Sequence, residues 1–192
     1  DGRDRRVALA GGVSGFAKHL ARGLDVRLEA NVGALELAAG PGQSTDRTWE
    51  LRLASGETLR TGTLALAVPA PSADALLRTM EPLPPAVAAL LPVLELVRML
   101  PCLTVIARYP AGTPAPRWEA SLPGGSAAIQ LILHDARKRP APARLTLVVQ
   151  ARPGYSRAHL DEPRESWSRA LLEEAAALHG DWIARPEVAQ AH

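Results

Sequence analysis

The stretch from Ala10 to Ala70 decides the fold of this chain. It opens with Ala10-Gly11-Gly12-Val13-Ser14-Gly15 and closes with Leu64-Ala65-Leu66-Ala67-Val68-Pro69-Ala70. Ser14 is a residue type that caps helix N-termini, and apolar residues at helical spacing follow it up to Gly23. The opening therefore predicts a short helix that begins at Ser14 and ends at Gly23.

Four strands are predicted between that helix and residue 70. Apolar and polar residues alternate from Val26 to Leu37, which is typical of a half-buried strand, and the alternation slips at Gly33, which suggests a β-bulge. A second alternating pair of segments surrounds Ser55-Gly56 and predicts a hairpin. The continuous apolar run Leu64–Val68 predicts a strand that is buried on both faces.

The second half of the chain is predicted to form strands followed by a helix. Prolines between Met80 and Pro85 interrupt the pattern, and we place a domain boundary near them, between residues 72 and 73. Pro85 to Leu91 predicts one or two helical turns, and Pro163 to Gly180 predicts the clearest helix. Short turns between successive strands favour an antiparallel sheet. The strand candidates are 93–100, 103–109, 117–122, 127–133 and 145–151.

Composition narrows the class of protein. The 192 residues are 47% hydrophobic and 22% charged, with a net charge of +2, which is typical of a globular domain and argues against a nucleic-acid or membrane-surface partner. The single cysteine, Cys102, excludes an internal disulfide and fits a reducing compartment. No signal peptide or membrane-spanning run is seen, and arginine greatly outnumbers lysine. We therefore expect a cytoplasmic bacterial protein.

The segment Ala10 to Pro71 resembles the middle of FAD-dependent amine oxidases within the NAD(P)-binding flavoprotein superfamily, specifically the renalase-like branch. The resemblance continues more weakly to His192. It implies an internal fragment, because no Gly-x-Gly-x-x-Gly unit opens the chain and no flavin-closing segment ends it. The implied architecture is α+β. Residues 1–72 form a partial FAD-binding domain with a β-meander, and residues 73–192 form a substrate-binding domain with an antiparallel or mixed β-sheet and flanking helices.

The resemblance also assigns cofactor residues. A valine in the first strand of such proteins contacts adenine through its backbone, and by position this is Val32. Ala67, Val68 and Pro69 end the strand that passes close to the flavin, and Gly11 and Gly12 lie near the cofactor or the substrate cavity. From the residues alone, the pattern favours an ordinary strand valine at Val32 and a plain turn into a helix at the glycine pair.

No catalytic side chain is identified by pattern. Many amine oxidases carry a lysine that faces the flavin, but the corresponding strand near Cys102 to Tyr109 has none. We interpret Cys102 as an inert core residue. Glu173 and Glu174 are helix neighbours that point apart, so they do not form a carboxylate pair. Metal spacing is also absent from the five scattered histidines, His19, His134, His159, His179 and His192.

The function implied by the resemblance is hydride transfer to flavin from an amine or a dihydronicotinamide-like small molecule, with dioxygen reoxidising the flavin. The fragment alone is expected to be inactive, because pyrophosphate binding needs the glycine loop of a strand–helix unit. Two alternatives stay open. One is a non-catalytic binding module with a sheet-lined pocket for an apolar ligand or a protein partner. The other is a homodimer that covers exposed flavin-domain surface.

Overall fold

The computed structural model describes residues 12–39, 47–138 and 144–192. It forms two compact units. Among the described residues, the smaller unit lies within 24–99, and the larger unit lies within 100–192 together with 12–23. The expected boundary between residues 72 and 73 falls inside the smaller unit, and as a boundary between functional domains it stays a prediction.

The smaller unit contains the predicted meander. Its three antiparallel strands lie in the order β1-β2-β3. The Ser55-Gly56 turn is confirmed: Gly56 has a φ of +90°, which only glycine adopts without strain, and its N–H donates to the carbonyl of Leu53 at 2.9 Å. The strands are β1 (Val32–Ala39), β2 (Arg47–Leu53) and β3 (Thr58–Thr61).

β1 starts later than the alternation from Val26 predicts. Residues 26–31 are not a strand, and Leu28 is 84% exposed. Glu29 has a φ of +57°, which interrupts an extended backbone before the strand can form. The bulge expected at Gly33 is confirmed, because the register with β2 shifts between Val32 and Ala34.

Three short helices pack on the meander. They are α2 (Ala70–Leu77), α3 (Pro85–Ala88) and α4 (Leu91–Glu95). The strand expected over residues 93–100 is wrong, because its first half is the end of α4, which a hydrogen bond from Val97 N to Leu94 O extends by one turn. An apolar run of this length fits a helix as well as a strand. The buried core of this unit consists of Leu35, Leu77, Met80, Val87 and Leu91.

The buried strand expected over Leu64–Val68 is also wrong. Leu64 and Leu66 pack against the core of the smaller unit, whereas Ala65, Ala67 and Val68 are exposed. Just before them, the Thr61 hydroxyl donates to the carbonyl of Thr63 at 2.9 Å, in a turn that follows the end of β3. The segment pairs with no strand among the described residues, and a lone segment cannot form a sheet.

The larger unit is built on a five-stranded antiparallel sheet in the order β5-β6-β7-β4-β8. The strands predicted near residues 103–109, 127–133 and 145–151 are confirmed, and the candidate over 117–122 shortens to two residues. The last strand was not predicted. The five strands are β4 (Thr104–Arg108), β5 (Ala120–Ser121), β6 (Ile129–His134), β7 (Thr146–Ala151) and β8 (Val188–Ala191).

Helix α6 (Arg164–His179) covers one face of this sheet and confirms the clearest helix of the sequence. It buries Trp167, Leu171 and Ala175 in one cluster with strand residues such as Val105 and Val149. Two further helices are α1 (Val13–Leu20) and α5 (Pro153–His159), of which α5 was not predicted. None of the described helices is both long enough and apolar enough to cross a bilayer.

The predicted cap of α1 is wrong. Ser14 lies inside the helix, and Gly12 precedes the first helical residue with a φ of +78°. A residue with positive φ turns the chain sharply into the helix, which is a role that glycine fills at least cost.

Gly180 ends α6 with a φ of +113°, and a Cβ there would lie 3.2 Å from Cδ1 of Trp182. We expect Gly180→Ala to lower the free energy of unfolding by about 1 kcal/mol, because both the φ angle and the contact strain alanine. Gly154→Ala is the matched control, since Gly154 lies in α5 with open space around its Cα and no positive φ. Urea titrations that show equal stability for both variants would contradict this account.

Candidate functional site

The sheet of the larger unit has two unlike faces. Along β4 and β7 the residues alternate between buried and half-buried, and the buried set, which includes Val105, Leu147 and Val149, faces α6. Because successive side chains of a strand point to opposite faces, the other set lies on the side away from α6. We call that side of the three central strands the open face. It carries Thr104, Ile106, Arg108, Leu131, Leu133, Thr146, Val148 and Gln150.

Register places an apolar row across the centre of the open face. Ile106 of β4 pairs with Val148 of β7, and Val148 pairs with Leu133 of β6. All three side chains are half-buried. Strands lie about 4.8 Å apart, so the row is about 10 Å long. Thr104 and Leu131 both pair with Gln150 and add a second row with neutral hydrogen-bonding groups.

The charge on the open face comes from Arg108 alone. Its guanidinium is exposed at the end of β4, in register with Thr146 on β7 and with Val188 on β8. The carboxylate of Glu187, next to β8, is hydrogen-bonded by Arg144, and this bond lowers its pKa, to which the charge of Arg108 adds. Two guanidinium groups therefore lie near one carboxylate at this end of the sheet, and among the described residues only Arg144 forms an ion pair with it.

A second feature is a cavity of about 360 Å³ beside the end of β6. It is lined by the loop after β4, by the 3-10 turn at Asp135–Lys138 and by the imidazole of His134, which is 4% exposed. Nδ1 of His134 has no hydrogen-bond partner. The two guanidinium groups in its wall, Arg137 and Arg144, are each paired with a carboxylate, so the cavity offers no uncompensated charge.

Burial lowers the pKa of His134 below its ordinary 6.5, and the charge of Arg137 lowers it further. The unfolded chain therefore binds more protons than the folded chain below about pH 6.5, so this group costs stability as the pH falls. We compare the free energy of unfolding at about pH 7.5 and about pH 5.5, which lie on either side of the ordinary pKa of histidine. We expect it to fall less over this interval in His134→Gln than in the natural chain. Urea titrations at both pH values measure the difference, and equal losses would contradict the assignment.

The predicted cofactor residues fall in three places. Gly11 lies outside the described residues. Gly12 is half-buried before α1 and belongs to the larger unit. Val32 begins β1 at the bulge and packs against the same core as Leu64 and Leu66, the neighbours of Ala67. The structure thus brings Val32, Leu64 and Leu66 to one cluster, and the cofactor roles of Val32 and of the exposed Ala67, Val68 and Pro69 stay predictions.

The residues that directly follow Leu66 are exposed. Val68 is 47% exposed, and Ala67 and Pro69 are exposed beside it, so no large side chain of this segment fills the space above them. Within the described chain β1 pairs with β2 alone, and the hydroxyl of Thr79 accepts a hydrogen bond from Leu35 N at 3.0 Å. Of the residues that the resemblance assigns to FAD in this unit, Ala67, Val68 and Pro69 are exposed and Val32 is half-buried.

The interpretation of Cys102 as a core residue is wrong. Cys102 is exposed, because β4 begins only at Thr104 and leaves the cysteine on the rim of the sheet. Its Sγ lies 3.8 Å from the hydroxyl of Thr104 and 3.8 Å from the carbonyl of Ala151. Glu174 is hydrogen-bonded to the hydroxyl of Ser126. No group of three or more His, Cys, Asp or Glu side chains that could hold a metal occurs in the described ranges.

The sequence did not predict that the residues of the open face lie together. Its members come from three strands, and only the register shows that Arg108 and the apolar row share one side. The alternation within 145–151 was a usable signal for one strand. It could not show which side α6 covers.

Comparison with known proteins bears on the fold. No protein-family model matches the chain, and no curated protein matches it. Among solved structures, cyclohexylamine oxidase from Brevibacterium oxydans IH-35A aligns with 94% of the chain at a TM-score of 0.69 and 17% identity. Putrescine oxidase bound to putrescine aligns with 94% at a TM-score of 0.72 and 17% identity.

A third structure, provisionally named a protoporphyrinogen oxidase from Exiguobacterium sp. 255-15, aligns with 96% of the chain at a TM-score of 0.60 and 19% identity. The chain spans only 38% of the length of the first two proteins and 39% of the third. Across almost all of its residues, this chain has the fold of a part of these oxidases.

Proposed function

We propose that these residues are part of an FAD-dependent oxidoreductase that removes hydride from an amine or a dihydronicotinamide-like substrate. The observation that carries the proposal is the fold shared with cyclohexylamine oxidase and putrescine oxidase over 94% of the chain. The narrower renalase-like assignment rests on the sequence resemblance between Ala10 and Pro71.

The flavin supplies the redox chemistry when it is bound, since it accepts the two electrons and the hydrogen that the substrate carbon loses. The chain's share is binding and orientation. The Ala67-Val68-Pro69 strip offers small, exposed groups that suit a flat ring, Val32 is a half-buried strand residue, and Gly12 has no side chain at the entry to α1. Each of these residues, and Gly11 next to Gly12 in sequence, is our candidate for a contact with FAD.

The open face is our candidate for the wall of the substrate cavity. Its row of Ile106, Val148 and Leu133 provides an apolar surface that excludes water. No group on it is needed to attack the substrate, because hydride transfer to flavin requires positioning rather than a protein nucleophile. The proposal is therefore compatible with the lack of lysine near Cys102 to Tyr109.

Two preparations test the proposal by their visible spectra. We expect the purified 192-residue chain to be colourless and inactive, because the resemblance puts the pyrophosphate site in a separate strand–helix unit. We expect a longer product of the same gene that includes such a unit to carry FAD, and an amine or dihydronicotinamide to bleach it without oxygen. Stoichiometric flavin on the short chain, or a colourless longer product, would contradict the proposal.

A variant of the longer product locates the cofactor surface. Val68→Arg puts a large charged group on the strip, and we expect it to weaken FAD binding at least about tenfold, since burying an unpaired charge is costly. Thr58→Arg is the control, because Thr58 is exposed at the tip of the hairpin. Equal FAD retention in both variants would remove Val68 from the site.

The open face also favours a second candidate, a non-catalytic binding module. Such a module would bind an apolar ligand or a protein partner on the row of Ile106, Val148 and Leu133 without any flavin. A homodimer through the smaller unit is a related possibility, since Leu28, Leu90 and Leu96 are exposed there. A colourless longer product that binds apolar ligands would favour the module, and sedimentation would identify the dimer.

A further inference from the structure

We propose that the open face selects a mainly apolar ligand that carries an anionic group, with Arg108 as the residue that determines this preference, and that it discriminates against dicationic amines. This inference rests on the proposed function, in which the open face lines the substrate cavity. It goes further because it assigns a charge preference and the residue that sets it.

The first argument is the composition of the face. Seven of its eight side chains are uncharged, and the eighth is the guanidinium of Arg108. The neighbouring positions on the outer strands, Gln190 beside Ile106 and Ala120 beside Leu133, are uncharged as well. A ligand with two ammonium groups would find no carboxylate on these strands, and a desolvated ammonium without a partner is strongly disfavoured.

The second argument is the charge balance at the end of β4. Arg108 makes no ion pair within 4.0 Å among the described residues, whereas Arg144 is paired with Glu187. The backbone carbonyl of Arg108 accepts a hydrogen bond from Glu187 N at 2.8 Å, but the guanidinium acts on the Glu187 carboxylate only through its charge. One positive charge is thus left over at this corner of the open face, and an anionic group of a ligand would neutralise it.

The third argument is distance. The apolar row from Ile106 through Val148 to Leu133 is about 10 Å long, and Arg108 lies two residues from Ile106 along β4, about 7 Å away. A bicyclic apolar body with one carboxylate has these dimensions. The carboxylate reaches the guanidinium while the rings lie on the row.

Matched naphthalene probes test the preference on the 192-residue chain. We use 2-naphthoate, naphthalen-2-ylmethylammonium and neutral 2-naphthol, and follow binding by fluorescence anisotropy of the probe. We expect 2-naphthoate to bind about three- to fivefold more tightly than the ammonium probe, which is the range of a partly exposed ion pair. We expect 2-naphthol to lie between them.

Two arginine variants test whether Arg108 causes the tighter binding of 2-naphthoate. Arg108→Gln should remove the advantage of 2-naphthoate and leave 2-naphthol binding unchanged. Arg169→Gln makes the same change of charge on an exposed position of α6, which covers the opposite face, and should preserve the advantage. High salt should shrink the advantage in the natural chain, because screening weakens an exposed ion pair.

Several outcomes would overturn the inference. They are equal affinity for the three probes, no binding at millimolar concentration, an advantage that survives Arg108→Gln, and an equal loss in Arg169→Gln. The readout is independent of flavin. A longer product without FAD would defeat the proposed function while leaving the charge preference measurable, and a flavin-bound product with no preference would defeat only the present inference.

Discussion

Leu171→Ala is expected to lower the free energy of unfolding of the larger unit by about 3 kcal/mol. Leu171 lies at the centre of α6, is fully buried, and belongs to the cluster that joins the helix to the sheet. Truncation removes favourable burial and leaves a cavity that a well-packed interior does not fill. Urea denaturation followed by circular dichroism measures the change.

Glu173→Ala is the control for that experiment. Glu173 lies two residues further along α6 and is exposed, so its loss should change the stability by less than about 0.5 kcal/mol. If Leu171→Ala lowered the free energy of unfolding as little as Glu173→Ala does, α6 would not cover the sheet. The distinction between a covered face and the open face would then be wrong.

Tyr109→Phe is expected to cost about 2 kcal/mol of the free energy of unfolding. Tyr109 is fully buried, and its hydroxyl donates to the carbonyl of Ile183 at 2.9 Å. Phenylalanine keeps the edge-on contact with Trp182, whose ring centroid is 5.0 Å away, but leaves that buried carbonyl without its donor. The effect therefore isolates one hydrogen bond, and urea titrations measure it.

The chain supplies its own control, because Tyr155 is its other tyrosine. Tyr155 is half-buried and stacks on His159, and its hydroxyl makes no described hydrogen bond. Tyr155→Phe should therefore cost clearly less than Tyr109→Phe. If both variants lost a similar free energy of unfolding, the loss would come from removing any tyrosine hydroxyl and not from the hydrogen bond to Ile183.

Alkaline pH gives a second readout of Tyr109. Burial raises its pKa above the ordinary 10, so the folded chain holds a proton that the unfolded chain releases. The stability that this group contributes is present below pH 10 and is lost as the pH rises above it. Tyr109→Phe should reduce the alkaline loss of stability, and an unchanged loss would contradict the burial of the phenol.

Locally encoded elements were predictable from the sequence. The turn at Ser55-Gly56 needs only a glycine with positive φ, and α6 needs only helical spacing with Gly180 beyond its end. The bulge at Gly33 followed from a slip in alternation between neighbouring residues. In each case the physical cause lies within a few residues of the element that it produces.

Elements that depend on distant partners were not predictable. Leu64–Val68 has the composition of a buried strand, but the described chain places no strand beside it. The run over 93–100 fits two structures equally, and packing of α4 on the core of the smaller unit decides for the helix. Val26 and Leu28 alternate like strand residues, although Glu29 has a φ that no strand contains.

The candidate site also has a part that the sequence could predict and a part that it could not. The resemblance assigned Val32 and Ala67-Val68-Pro69 by position, and the structure packs Val32 on the same cluster as Leu64 and Leu66, just before the exposed residues 67–69. The open face required the pairing of Ile106 with Val148 and of Val148 with Leu133, which is non-local information. Arg108 could not be predicted as a site residue, because a single arginine at a strand end is common and only the register shows which side chains share its face.

The position of Cys102 makes the chain ready for spectroscopy without any mutation. It is the single thiol, it is exposed, and its sulfur lies 3.8 Å from the hydroxyl of Thr104, which belongs to the open face. A maleimide dye or a nitroxide attached there reports from the rim of the sheet. Quenching or line broadening on that label would register an arriving molecule directly, before any turnover is observed.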